Sequence, residues 1–133
     1  NAGQGEDFIY LGRKETNDLT QYRLFEKAKD VIIGGGGSDS FIFNYNSNDG
    51  QSLYTLGGNK DFCVIEDYQK IDNIIFYGGG ALSIDRRNGT LNLPATSSYS
   101  TQFIEYNSRL YMDDDLVAYI SGDQIKLRDI IQY

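Results

Sequence analysis

Short apolar runs alternate with breaks rich in glycine, aspartate and asparagine along the whole chain. Phe8-Ile9-Tyr10 and Phe41-Ile42-Phe43 each follow such a break, and Val31-Ile32-Ile33 follows Asp30. Further strands are predicted over 51–56, 62–65, 73–77, 81–84, 90–93, 101–106, 109–112, 116–120 and 124–127. Asn88-Gly89 is a strong hairpin signal between two of them. Residues 12–24 are polar and irregular. Asp18 with Gln21 resembles a capping box, and Leu19, Tyr22 and Phe25 recur every third position, so a short helix or an excursion loop is open there. Many short strands and frequent turn signals predict an all-β fold in one domain spanning 1–133.

The breaks carry a repeat. Gly34, Gly35, Gly37, Asp39 and Phe41 fit every fixed position of G-G-x-G-x-D-x-U-x, where U is large and apolar. Gly3, Gly5, Asp7 and Ile9 fit all but the first, where Ala2 stands. Asp30 and Ile32 hold the same positions nine residues before Asp39 and Phe41, over a turn that has lost its glycines. A nine-residue period with glycine turns predicts a short parallel β-roll over 1–62, interrupted near 12–24, then a β-rich, sandwich-like C-terminal cap over 63–133.

Glycine reaches positive φ and lets backbone carbonyls converge, and the aspartate adds a carboxylate. Calcium takes 6–8 oxygen ligands at about 2.3–2.6 Å, whereas magnesium wants a tighter octahedron and parts reluctantly with water. The candidate calcium ligands in these turns are Asp7, Asp39 and the carbonyls of Gly3, Gly5, Gly35 and Gly37.

Composition narrows the chemistry. The chain has no histidine, which removes His-based acid–base catalysis, Ser-His-Asp and Cys-His nucleophiles, and His-ligated zinc. Its one cysteine, Cys63, forms no intrachain disulfide or CxxC knuckle and reads as a buried small hydrophobe. Twelve basic against 19 acidic residues give a net charge of −7, so nucleic acid is not an expected partner. No apolar run approaches the ~18 residues of a membrane span. The first residue is Asn1 rather than Met, which predicts a fragment or a processed form.

These turns resemble those of the RTX family, the hemolysin-type calcium-binding nonapeptide proteins. The likeness continues in Ile65-Glu66-Asp67-Tyr68 and Asp72-Asn73-Ile74, similar to the family's I-x-D-[FY] and D-x-I elements, and in Asp61, similar to a degenerate last turn, so the resemblance adds Asp61 and, more weakly, Asp67 to the candidate calcium ligands. It is looser in Asp115-Leu116-Val117-Ala118-Tyr119-Ile120. The resemblance implies a secreted or cell-surface bacterial chain with upstream domains, exported by type I secretion and folding on calcium outside the cell. In the family, turns on one side lie 18 residues apart. Asp7 to Asp39 is 32 here, so 14 residues must loop out if these turns stack. One or two ions are therefore expected.

The leading expectation is a non-enzymatic calcium-binding module. A second makes calcium structural and gives the 11 tyrosines a glycan, cell-surface or protein partner. A third, a carboxylate hydrolase, needs two facing acids. Glu66 and Asp67, as strand neighbours, point to opposite faces and do not supply them. Asp113-Asp114-Asp115 reads as a solvated hairpin tip.

Overall fold

The computed structural model describes residues 2–11, 29–43, 62–77, 80–95 and 100–133. The expectations for 12–24, the strand over 51–56 and Asp61 lie outside these residues.

The described residues are almost all β, as predicted. Strands β1 (Phe8–Leu11), β3 (Ser40–Phe43), β5 (Asn73–Phe76) and β9 (Ile130–Gln132) form a parallel sheet in that order. Strands β2 (Lys29–Ile32), β4 (Phe62–Tyr68) and β8 (Asp115–Gly122) run parallel in a second sheet, to which β7 (Gln102–Met112) and β6 (Leu82–Leu93) add antiparallel. From β1 to β5 the chain alternates between the sheets, and β8 and β9 resume the alternation. Both sheets draw strands from either side of position 62.

The apolar residues of the predicted runs fill the space between the sheets. Phe41, Phe43, Ile74 and Phe76 from the first meet Cys63, Ile65, Ala118 and Ile120 from the second, all fully buried. The register lines up Ile9, Phe41, Ile74 and Ile130 across four strands. The Phe43 and Phe76 rings stack with centroids 4.5 Å apart. A fully buried phenylalanine contributes roughly 1.5–3 kcal/mol from burial alone. Cys63 is fully buried in β4, as its apolar setting predicted.

Asn88-Gly89 does not make the predicted turn. β6 runs through it, and the hairpin closes beyond Leu93, which pairs with Gln102. The pairing register shifts between Arg86 and Gly89, where the space beside the glycine's Cα is taken by the Tyr106 ring. The Asn-Gly signal therefore became a bulge inside a long strand. Beyond it, Leu91, Leu93 and Ile104 join Phe62, Val64 and Leu116 in a second apolar cluster. The predicted strands over 101–106 and 109–112 likewise merge into β7. Residues 124–127 do not form a strand. A 3-10 helix (Leu127–Asp129) and β9 follow instead. The acidic tip closes β7 to β8 as read, with Asp113 and Asp114 exposed at positive φ.

Candidate functional site

At one end of the two sheets the connecting turns stack. Turn one holds Gly3, Gly5 and Asp7, turn two holds Gly35, Gly37 and Asp39, and turn three runs from Asp67 to Asp72. Gly3, Gly5, Gly35 and Gly37 all take positive φ. At Gly35 and Gly37 the space a Cβ would fill is occupied by the carbonyl oxygens of Gly3 and Gly5. Glycine is thus required twice over in turn two, by backbone torsion and by the neighbouring turn. Gly36 donates to the Gly3 carbonyl and Gly5 to the Gly36 carbonyl, each at 3.0 Å.

The aspartates form a ladder down this stack. The Asp7 amide donates to Asp39 Oδ1 at 3.1 Å, and the Asp39 amide donates to Asp72 Oδ1 at 2.9 Å. Asp72 Oδ2 accepts from the Gln69 amide at 2.8 Å. Asp39 is fully buried and Asp72 nearly so. Asp39 Oδ2 and Asp7 Oδ2 are buried with no hydrogen-bond partner among the described residues. A buried carboxylate oxygen without a partner is costly, and a cation or a proton relieves that cost. Burial pushes the Asp72 carboxyl above the usual carboxylate range, and the charges of Asp39 and Asp67 push the same way. The two backbone amides on it pull down. Tyr68, beside the stack, is raised to about 12 by burial and by Asp129, Asp72 and Asp123.

Turn three reaches the same end by other means. Asp67 accepts from the Gly34 and Gly35 amides, each at 2.8 Å. Gln69 Nε2 donates to the Gly35 carbonyl at 3.2 Å. Side chains here meet backbone groups that a further glycine turn would meet with its own backbone.

Of the predicted ligands, Gly3, Gly5, Asp7, Gly35, Gly37 and Asp39 come together in two adjacent turns. Asp67 is close by, but both its oxygens are committed to amides. Asp61 is outside the described residues. Sequence reasoning missed Asp72 and Gln69 as members of the stack. The signal was available: Asp72 lies 33 residues after Asp39, nearly repeating the 32 from Asp7 to Asp39. Among the described residues no three acidic, cysteine or histidine side chains gather around one point. A calcium ion here would rest on two carboxylates and on backbone carbonyls, a donor set of hard oxygens that suits it. The orphaned oxygens of Asp7 and Asp39 fit that requirement.

Several tyrosines are used in packing. Tyr68 is buried, Tyr119 lies edge-on to Phe62 at 5.0 Å, and Tyr106 lies 4.6 Å from Tyr119. Glu66 is exposed and Asp67 turns inward to the stack, so the pair does not face one substrate. No helix among the described residues is long and apolar enough to cross a membrane. Comparison with protein-family models, curated proteins and solved structures returned no match.

Proposed function

We propose that this chain is a non-enzymatic calcium-binding module, with the ion held between the first two turns. One observation carries the reading: beside two stacked glycine turns, the buried Oδ2 atoms of Asp7 and Asp39 have no hydrogen-bond partner among the described residues. Asp7 and Asp39 would supply carboxylate oxygens, and the turn glycines backbone carbonyls. The ion would offset two like charges that the stack otherwise brings together. Because the turns must stack before those oxygens converge, binding energy adds to folding energy. Loss of calcium would loosen the first two turns and leave the core between the sheets.

The resemblance to the RTX family supports the same reading. It extends the proposal to a secreted or cell-surface bacterial protein, exported by type I secretion and carrying upstream domains.

The test is a calcium titration followed by far-UV circular dichroism and thermal melting, with magnesium as control and metal analysis of the product. Calcium is expected to raise the melting temperature and magnesium to leave it unchanged. Asp39→Asn keeps an acceptor for the Asp7 amide but removes the charge, and should abolish the response. A wild-type protein that neither shifts nor retains calcium would sink the proposal.

A further inference from the structure

Beyond its bulge, the hairpin of β6 and β7 buries one face and leaves the other open. Leu91, Leu93 and Ile104 pack on the cluster of Phe62, Val64 and Leu116. The alternate residues Thr90, Asn92, Phe103 and Glu105 point the other way, and all four are exposed. The register sets Asn92 opposite Phe103 and Thr90 opposite Glu105. Phe103 is 68% exposed, a bare ring among polar neighbours.

The same face runs into a hollow of about 480 Å³, lined by Asn88, Gly89, Thr90, Glu105, Tyr106 and Asn107. That volume lies within the roughly 300–1,000 Å³ of small-ligand sites. The bulge shapes the hollow, because Arg87 and Asn88 together oppose Asn107. Two of its walls are fixed. The Tyr106 ring lies over Gly89 and 4.6 Å from the Tyr119 ring. Asn107 Nδ2 donates to the Gly122 carbonyl at 2.7 Å, and its Oδ1 accepts from Ser108 Oγ at 2.8 Å. The side chains of Asn88, Thr90, Asn92 and Glu105 have no hydrogen-bond or ion-pair partner among the described residues.

We infer that this face of the hairpin binds an uncharged oligosaccharide. A sugar ring has an apolar C–H face and a rim of hydroxyls that both donate and accept. Phe103 offers the flat apolar surface for the first. Asn88 and Thr90 offer donors and acceptors for the second, and Glu105 accepts from two hydroxyls at once. Phe103 stands two residues from Glu105, about 6.8 Å along the strand, so one sugar fills the hollow and the next covers the ring. Glu105 is the one charged residue in the lining, and it repels an acidic sugar. A protein partner fits less well. It would bury about 800 Å² on each side around an apolar centre, and here a single ring stands among amides, a hydroxyl and a carboxylate.

The test is a titration of the whole chain in calcium-containing buffer, followed by amide chemical shifts in NMR. The probes are cellotetraose, maltotetraose and mannotetraose, with tetragalacturonate as the acidic control. At least one neutral probe is expected to saturate with a Kd at or below about 1 mM, with its shifts centred on Thr90, Asn92, Phe103 and Glu105. Phe103→Ala and Thr90→Val change exposed side chains and should each weaken binding about three- to tenfold, the size of one stacking contact or one hydrogen bond. Unchanged shifts at Gly35 and Gly37 in these variants show that the fold is kept. No saturation by any neutral probe, equal binding by both variants, shifts centred elsewhere, or tighter binding of tetragalacturonate overturns the proposal. Concentration-dependent line broadening at Phe103 without sugar also overturns it, in favour of an interface between copies of this chain.

Discussion

Gly37→Ala tests whether the turns are locked by backbone against backbone. The alanine would sit at φ +99°, a torsion that costs an L-residue about 1–3 kcal/mol. Its Cβ would also fall well inside contact with the Gly5 carbonyl oxygen, a backbone atom held by β1 and by turn one. Relief requires the turns to part, which endangers the Gly5-to-Gly36 and Gly36-to-Gly3 hydrogen bonds. Each is worth about 0.5–1.5 kcal/mol. Together the cost is about 2–6 kcal/mol, a large share of the 5–15 kcal/mol typical of a domain. The control is one residue away. A Cβ at Gly36 meets the end of the flexible Gln4 side chain, 2.5 Å from its Oε1, and the backbone there has no positive φ. Gly36→Ala should therefore cost well under about 1 kcal/mol. Urea unfolding of the two variants, with hydrogen exchange at the Gly5 amide, gives the comparison. Equal midpoints for Gly36→Ala and Gly37→Ala would refute the reasoning.

Asp67→Ala leaves the Gly34 and Gly35 amides without their acceptor and should destabilise by about 2–4 kcal/mol, while Asp67→Asn, with one oxygen, should lose roughly half as much in the same urea assay. The raised Tyr68 pKa favours the neutral phenol in the folded state. Its contribution is intact below the ordinary tyrosine value near 10 and is lost as pH rises towards about 12. Tyr68→Phe should flatten that alkaline fall, measured as unfolding midpoints against pH. Similar alkaline slopes in both proteins would count against the assignment.

The sequence made most of the strands and the first two turns legible, for identifiable reasons. Gly35, Gly37 and Asp39 announce themselves because their conformation excludes nearly every other residue. The run 62–65 reads as a strand because both faces are buried, leaving four apolar residues in succession. Turn three was harder to see. Asp67, Gln69 and Asp72 do the work of glycines through side-chain bonds whose partners lie 32 to 34 residues away, and no local pattern encodes a partner. The Asn88-Gly89 reading failed for a related reason. Its local preference for a hairpin lost to pairing with β7 on both sides and to the Tyr106 ring against Gly89. Residues 124–127 were misread because Ile125 and Leu127 alternate as in a strand, yet Ile125 is fully buried and Leu127 is half exposed beside the 3-10 helix.

The alternation of the chain between two sheets has a consequence for the order of assembly. β7 and β8 pair across as few as three residues, Met112 with Asp115, and β6 meets β7 starting from Leu93 and Gln102. Every parallel pair must instead close a loop of more than thirty residues, as between Phe8 and Ser40, and loop closure costs entropy before any contact is made. Nucleation thus belongs to the antiparallel ribbon near the C-terminus, and rungs are laid from it towards the N-terminus. A chain emerging N-terminus first carries its glycine turns ahead of the template that will receive them. Pulse-labelled hydrogen exchange should record β1 as the last strand to gain protection.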